Sequence, residues 1–325
     1  MKRLVIIGPG NIAKFHIQAL KYFNFEIVGC ISRDGSNSSH EFMSNYGKNK
    51  SEYFSDFNYM LHNTNEWDAV LISCPTINQF EYIDKLSKFQ KPILVEKPVS
   101  LSIDKLVKYK NNSNIMVAFN RRYYESVKEF KTFVNLSKNI FINVNIPESS
   151  KSINEKSPSN FLPISIYENS IHIFDLINYL FDNVSWSNII SSNNSKLEFL
   201  SAHGLCKSGS PIVINLMLDS PENFSISANV GNKKVQLKPI EMYRLYEGFQ
   251  IDEPSDQVPI RRYSPRVIDE SYSESIMNCK PGFYNQAKTF SELCDGKKDI
   301  TFPNINDAAK AIESINSISK LIKEI

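Results

Sequence analysis

None of the five cysteines, Cys30, Cys74, Cys206, Cys279 and Cys294, stands in a Cys-x-x-Cys pair, so neither a disulfide framework nor a zinc knuckle is suggested. They are expected to be reduced, mostly buried thiols, and with histidine and cysteine never clustered at ligand spacing, no metal is expected. Charge of one sign is lacking too. The 37 basic and 35 acidic side chains leave a net charge of +2, which gives no electrostatic case for nucleic acid or a membrane as partner. No apolar run approaches membrane-spanning length, and a strand beginning at Arg3 leaves no room for a signal peptide, so the expected location is cytoplasmic. Repeats and low-complexity tracts are absent.

What is present is an ordinary globular composition, 42% hydrophobic and 22% charged, in 325 residues, enough for two domains. In the first third, apolar strands alternate with helical spacing. Strands are expected at Leu4 to Ile7, Phe25 to Ile31, Ala69 to Ser73, Ile93 to Val95 and Met116 to Phe119. Helices are expected at Ile12 to Tyr22, Ser39 to Tyr46, Phe80 to Phe89 and Ile103 to Tyr109. Strands that are apolar on both faces and separated by helices imply a doubly wound parallel sheet. The rhythm changes after Arg122. A helix at Val127 to Leu136, a strand at Asn139 to Ile146, a polar loop at Glu148 to Ser159 and a helix at Asn169 to Phe181 come next. Strands follow at Leu197 to Gly204, Ile212 to Leu218, Phe224 to Val230, Val235 to Pro239 and Met242 to Tyr246, several alternating with period two as in an antiparallel sheet with one exposed face. Gln250 to Asn278 is polar and carries no clear element; helices at Phe283 to Cys294 and Asn306 to Lys323 close the chain and are expected to pack back on the body. The fold class is therefore α/β, with one domain expected over residues 1–122 and a second over residues 123–325.

The chemistry begins at Arg3 to Phe15, RLVIIGPGNIAKF, where an apolar strand feeds Gly8-Pro9-Gly10 into a helix starting at Asn11 and Ile12. Such a turn leaves backbone N–H groups and the positive end of a helix dipole where a pyrophosphate can sit. Gly8 suits the tight turn, Gly10 allows close approach of phosphates, and Ala13 lets the helix pack on the sheet. The implied ligand is a dinucleotide. Lys97 of Glu96-Lys97-Pro98 follows another apolar strand, at the carboxyl edge where open α/β sheets bind ligands. A lysine there can bond a substrate oxygen and stabilise charge developing on it. Pro98 is placed to fix the turn, a cis bond being one way. Four-residue spacing puts Glu168 and His172 on one face of a helix whose buried stripe is Ile173, Leu176, Ile177 and Leu180. Imidazole suits the proton transfer that accompanies hydride transfer to or from an alcohol.

The ordered set Gly8-Pro9-Gly10-Asn11-Ile12-Ala13 with His16, then Ser73-Cys74-Pro75, Glu96-Lys97-Pro98, Asn120-Arg121-Arg122, Glu168 to His172 with Asp175, and Gly282-Phe283-Tyr284-Asn285-Gln286 resembles the Gfo/Idh/MocA family of NAD(P)-dependent oxidoreductases. The resemblance implies a Rossmann domain followed by an α/β domain with a large open, mainly antiparallel sheet, usually used for oligomerisation. It implies that Lys97 and His172 flank the substrate carbon, with Glu96 and Pro98 near the nicotinamide and Cys74 and Pro75 on the cofactor. Arg122, Asn169 and Tyr284 are the candidate substrate contacts. The sequence departs from the family pattern at Glu168, where Asp is usual, and at Gln79, where many members carry His. It departs again at Ser32-Arg33, where NAD-preferring members have an acidic residue. A neutral Ser beside Arg suits a 2′-phosphate and favours NADP, while Asp34 is close enough to serve NAD.

The expected activity is hydride transfer between nicotinamide and a secondary alcohol or ketone of a sugar-type small molecule, an amino sugar or nucleotide sugar among the candidates. Arg122, Arg244, Arg261, Arg262 and Arg266 are available for a phosphate or carboxylate on it. A homo-oligomer, dimer or tetramer, is expected. The alternatives are a non-catalytic dinucleotide-binding regulatory protein or scaffold, and a glycoside-cleaving enzyme that recycles its hydride on tightly bound NAD.

Overall fold

The computed structural model describes residues 1–32, 37–47, 53–150, 162–192 and 197–322. The chain divides into two compact units: Met1–Tyr123 with Ser275–Glu313, and Tyr124–Glu274 with Ser314–Ile325. The chain thus passes between the units three times, the last time inside the closing helix.

The first unit is built on β1 (Lys2–Ile7), β2 (Phe25–Ile31), β3 (Ala69–Ile72), β4 (Ile93–Val95) and β5 (Ile115–Val117), in the order β2-β1-β3-β4-β5 with every neighbouring pair parallel. Leu4 to Ile7, Ala69 to Ile72, Ile93 to Val95 and Ile115 to Val117 are buried without alternation. That is the signature of strands covered on both faces. The intervening helices are α1 (Asn11–Leu20), α2 (Asn37–Tyr46), α3 (Phe57–His62), α4 (Thr76–Leu86) and α5 (Ile103–Val107). α3 was not expected; it is short, and Asp56 caps it by accepting from the Tyr59 N–H at 2.7 Å. α4 begins four residues before the expected Phe80, directly after Pro75.

The second unit contains α6 (Glu125–Asn135), β6 (Phe141–Glu148), α7 (Ile164–Glu168), α8 (Ile171–Phe181), β7 (Val184–Ser191), β8 (Phe199–Cys206), β9 (Pro211–Leu218), β10 (Ser225–Val230), β11 (Lys233–Leu237), β12 (Met242–Asp252) and β13 (Arg262–Tyr272). The strands form one sheet in the order β13-β12-β11-β10-β6-β9-β8-β7, antiparallel throughout except for β6 beside β9. Alternation is clear at the centre: Ile142, Val144 and Ile146 of β6 and Ile212, Ile214 and Leu216 of β9 are buried. Their neighbours Asn143, Asn145 and Asn215 lie on the other face, where Asn215 Nδ2 donates to both of the other side-chain oxygens at 3.1 Å. β7 and β13 had no counterpart in the expected strands, and β13 falls in the polar stretch that carried no assignment. Of the expected loop at Glu148 to Ser159, residues 151–159 lie outside the described residues.

Two helices close the chain, α9 (Phe283–Cys294) and α10 (Ile305–Ile322). α9 lies in the first unit beside α1, with Phe283, Gln286, Ala287 and Phe290 buried and the Phe290 ring stacked on Phe25 at 5.7 Å.

Candidate functional site

At the carboxyl end of β1 the chain turns at Gly8, whose φ is +93°. A Cβ there would lie 2.6 Å from both the backbone N and Cα of Cys74, so glycine is required by conformation and by space together. The turn is fixed from two sides. The Gly8 N–H donates to the Ile31 carbonyl at 2.9 Å, and Ser73 Oγ donates to the Gly8 carbonyl at 2.7 Å. Gly10 is different: its φ is −76°, and a Cβ on it would meet nothing within 4 Å. α1 starts at Asn11 with no side-chain cap and no acidic residue in its first turn. An uncapped helix start of this kind leaves its first N–H groups and the positive dipole end without an acidic side chain to meet them, an arrangement that can bind phosphate.

Around this turn stand the other carboxyl ends. Cys74 and Pro75 follow β3, and burial pushes the Cys74 thiol up to about 11, so it is a neutral thiol near pH 7. Gln79 is buried and its Nε2 donates to the Cys74 carbonyl at 2.9 Å, leaving Oε1 without a hydrogen-bond partner among the described residues. Glu96 and Lys97 follow β4, and the Lys97–Pro98 bond is cis. Glu96 is buried; its Oε2 accepts from the Lys97 backbone N–H at 3.1 Å, and its Oε1 lies 2.7 Å from Nε2 of His16 on α1. Lys97 is half-buried. Ser32 follows β2 directly and is hydrogen-bonded to Ser39 Oγ at 2.5 Å, whereas Arg33 and Asp34 lie outside the described residues.

In the second unit His172 is buried in the first turn of α8. The expected pairing of Glu168 with His172 on one helix face is corrected by a break: α7 ends at Glu168 and α8 begins at Ile171. The break is held by Glu148 at the end of β6, whose Oε2 accepts from Ser170 Oγ at 2.6 Å and from Asn169 Nδ2 at 3.1 Å. Glu168 and Asn169 are both exposed there.

Several candidates are engaged elsewhere. Arg122 pairs with Asp307 at 3.2 Å. Tyr284 is not brought to the glycine turn; its ring packs on Phe23 at 5.0 Å and Tyr22 at 5.9 Å, beyond the opposite end of α1. Arg244 pairs with Glu270, Arg261 with Glu253 at 2.8 Å, and Arg266 Nε donates to the Glu247 carbonyl at 3.2 Å. Sequence reasoning missed the joining of His16, Glu96 and Gln286, although each residue stands in a motif it had singled out. The available signal was a histidine inside the apolar stripe Ala13, Ile17 and Leu20, where an unpartnered ring would be costly.

Among the described residues no group of three or more His, Cys, Asp or Glu side chains could hold a metal, and no helix is long and apolar enough to cross a membrane.

Residues 2–114 match the GFO_IDH_MocA model, described as oxidoreductase family, NAD-binding Rossmann fold. The uncharacterized oxidoreductase YrbE of Bacillus subtilis is 30% identical over 135 residues, which is 40% of this chain and 38% of that protein. A myo-inositol 2-dehydrogenase of Thermotoga maritima is 27% identical over 137 residues, 41% of this chain and 40% of that protein. These two matches thus span about two fifths of the relatives' length. The crystal structure of an oxidoreductase from Thermotoga maritima shares the fold over 98% of this chain and 96% of its own, with a TM-score of 0.74 and 18% identity.

Proposed function

We propose that this chain, whose residues 2–114 match the GFO_IDH_MocA oxidoreductase model, is a member of that family and an NAD(P)-dependent dehydrogenase or reductase acting on a secondary alcohol or ketone of a sugar-type substrate. The observation that carries this reading is the contrast between Gly8 and Gly10. One is locked against Cys74, and the other is bare beside an uncapped helix start. A cradle of that shape fits the pyrophosphate of a dinucleotide, and Glu96, Lys97 and Pro98 follow β4, two strands along from β1 in the same parallel sheet.

The residues that would hold the cofactor are Gly8, Gly10, Asn11 and Ile12 at the phosphates, Ser32 and Arg33 at the adenosine ribose, and Cys74, Pro75, Glu96 and Pro98 toward the nicotinamide. Ser32 with Arg33 favours NADP over NAD. When bound, the nicotinamide supplies the hydride acceptor or donor. Lys97 holds the substrate oxygen by its ammonium and stabilises charge growing there. His172 takes the hydroxyl proton during oxidation and returns it during reduction. Glu168 and Asn169, exposed at the α7–α8 break, contact the substrate, and the myo-inositol dehydrogenase among the relatives makes a polyol the first class to try. Amino sugars and nucleotide sugars come next. With Arg122 and Tyr284 engaged in packing and pairing, they are weaker candidates for substrate contact.

Oligomerisation through the second unit's sheet is part of the proposal. β11 pairs with β12 only as far as Glu247, so among the described residues the following part of β12 has β13 as its one ladder partner. Phe249 stands opposite Pro265 and Ile251 opposite Tyr263, which gathers these four on one face of the ribbon. Phe249, Ile251 and Tyr263 are 64%, 50% and 59% exposed. A two-stranded ribbon with an open apolar face is marginal alone and gains stability by covering it.

A thermal-shift panel of NAD, NADP and their reduced forms, repeated with polyols and sugar nucleotides, tests the reading. A ligand at a hundredfold excess over its Kd stabilises by about 2.7 kcal/mol. A clear rise in Tm with one cofactor pair is expected, and no response to any of the four contradicts it.

A further inference from the structure

Three side chains remote in sequence form a buried polar line in the first unit: Gln286 of α9, His16 of α1 and Glu96 after β4. Gln286 Nε2 lies 3.3 Å from His16 Nδ1, and His16 Nε2 lies 2.7 Å from Glu96 Oε1. They are 0%, 2% and 8% exposed, and the Phe283 ring closes on the imidazole at 4.9 Å between centroids. Glu96 uses its other oxygen to accept from the Lys97 N–H. With the amide set as it stands, its NH2 group faces the histidine and Gln286 Oε1 has no hydrogen-bond partner among the described residues.

We propose that Gln286 is a positioning residue: by donating to Nδ1 of His16 it holds the imidazole in the Nε2–H tautomer, which aims that proton at Glu96 and so fixes the carboxylate that holds the backbone of Lys97. An amide NH2 carries no acceptor, so the ring nitrogen facing it must supply a lone pair. The other neutral tautomer would set an Nε2 lone pair against a carboxylate oxygen at 2.7 Å, with no proton between them. Turning the amide over would present its carbonyl to Nδ1, a contact that requires a proton on that nitrogen. Gln286 therefore selects among ring states, which a packing residue such as Leu or Met cannot do. A histidine whose far nitrogen is fixed by a partner is oriented as well as protonated in a defined way. The consequence for turnover rests on the proposed role of Lys97; the tautomer does not.

The test is nitrogen-15 NMR of the full chain labelled at its five histidines, with His16→Asn used to assign the signal. The wild type should show a pyridine-type Nδ1 and a protonated Nε2 at His16 near neutral pH. Gln286→Met should give a mixture of ring states, and Gln286→Glu should protonate both nitrogens. With a substrate in hand, Gln286→Met should lower kcat at least tenfold while the KM for cofactor stays within about twofold. A protonated Nδ1 at His16 in the wild type overturns the proposal without needing any variant to fold. So does a Gln286→Met protein that keeps the wild-type ring state, or one that keeps wild-type kcat while Lys97→Ala loses it. Full activity in Lys97→Ala would instead remove the reading of the reaction and leave the tautomer result standing.

Discussion

Gly8 and Cys74 approach so closely that a single carbon added to Gly8 would sit 2.6 Å from the Cys74 backbone. Gly10, two residues on, has no such neighbour, so the pair separates a folding requirement from the ligand role proposed for the turn. Gly8→Ala combines a backbone clash with a strained positive φ and should destabilise the chain by roughly 2–5 kcal/mol. Gly10→Ala should cost the apo protein no more than about 1 kcal/mol, as an ordinary N-cap change does. It should nevertheless weaken dinucleotide binding at least tenfold. Denaturant titration beside calorimetric cofactor titration reads both effects. Equal binding by Gly10→Ala and wild type would show that the phosphates do not approach this turn.

Lys97→Ala and His172→Ala should each lower kcat by about 10²-fold or more, the usual scale for loss of an oxyanion donor or a general base. Cofactor Kd should stay within a few-fold of wild type, because neither residue is needed to hold the phosphates. Stopped-flow traces of reduced cofactor would separate the two quantities. Loss of binding in parallel with loss of rate would point to a structural role instead.

Much of this was written plainly in the chain. β1, β3, β4 and β5 are short runs buried on both faces, and such runs announce themselves without tertiary context. Gly8 was legible as a turn residue because the chain leaves β1 there with a positive φ that favours glycine. β7 and β13 were not, because β13 is exposed along nearly its whole length and interrupted by Pro265, β7 mixes polar and apolar residues without clear alternation, and only a neighbouring strand gives them shape. The break between α7 and α8 contains neither Pro nor Gly; it comes from Glu148, some twenty residues upstream, taking hydrogen bonds from Asn169 and Ser170. Local periodicity carries no trace of such a contact. The line from Gln286 through His16 to Glu96 spans most of the chain and could be joined only by folding it.

The ribbon of β12 and β13 makes its own prediction. Phe249→Asp with Ile251→Asp should shift the protein to a smaller species in sedimentation velocity while leaving Tm within a few degrees, because both side chains are already exposed in the single chain. An unchanged sedimentation coefficient would remove the ribbon from the assembly.

Alkaline pH should weaken the fold. Burial pushes Cys30 and Cys294 up to about 12 and Cys74 and Cys206 up to about 11, against about 8.5 for a free thiol. Between those values the folded state keeps protons that the unfolded chain has lost, so stability present below about pH 8.5 declines as pH climbs toward 11 to 12. Urea midpoints at successive pH values should fall through this window. Cys30→Ala should flatten the slope; a slope unaffected by it would assign the alkaline loss to other groups.

The most direct measurement of the central claim is absorbance at 340 nm with oxidised cofactor and a panel of inositols, sugars and sugar nucleotides, run in parallel on the wild type, Lys97→Ala and His172→Ala. The account predicts stoichiometric formation of NADPH or NADH with at least one polyol, lost in both variants while cofactor binding persists. Turnover that survives in both variants, or binding of no dinucleotide by the wild type, would contradict it.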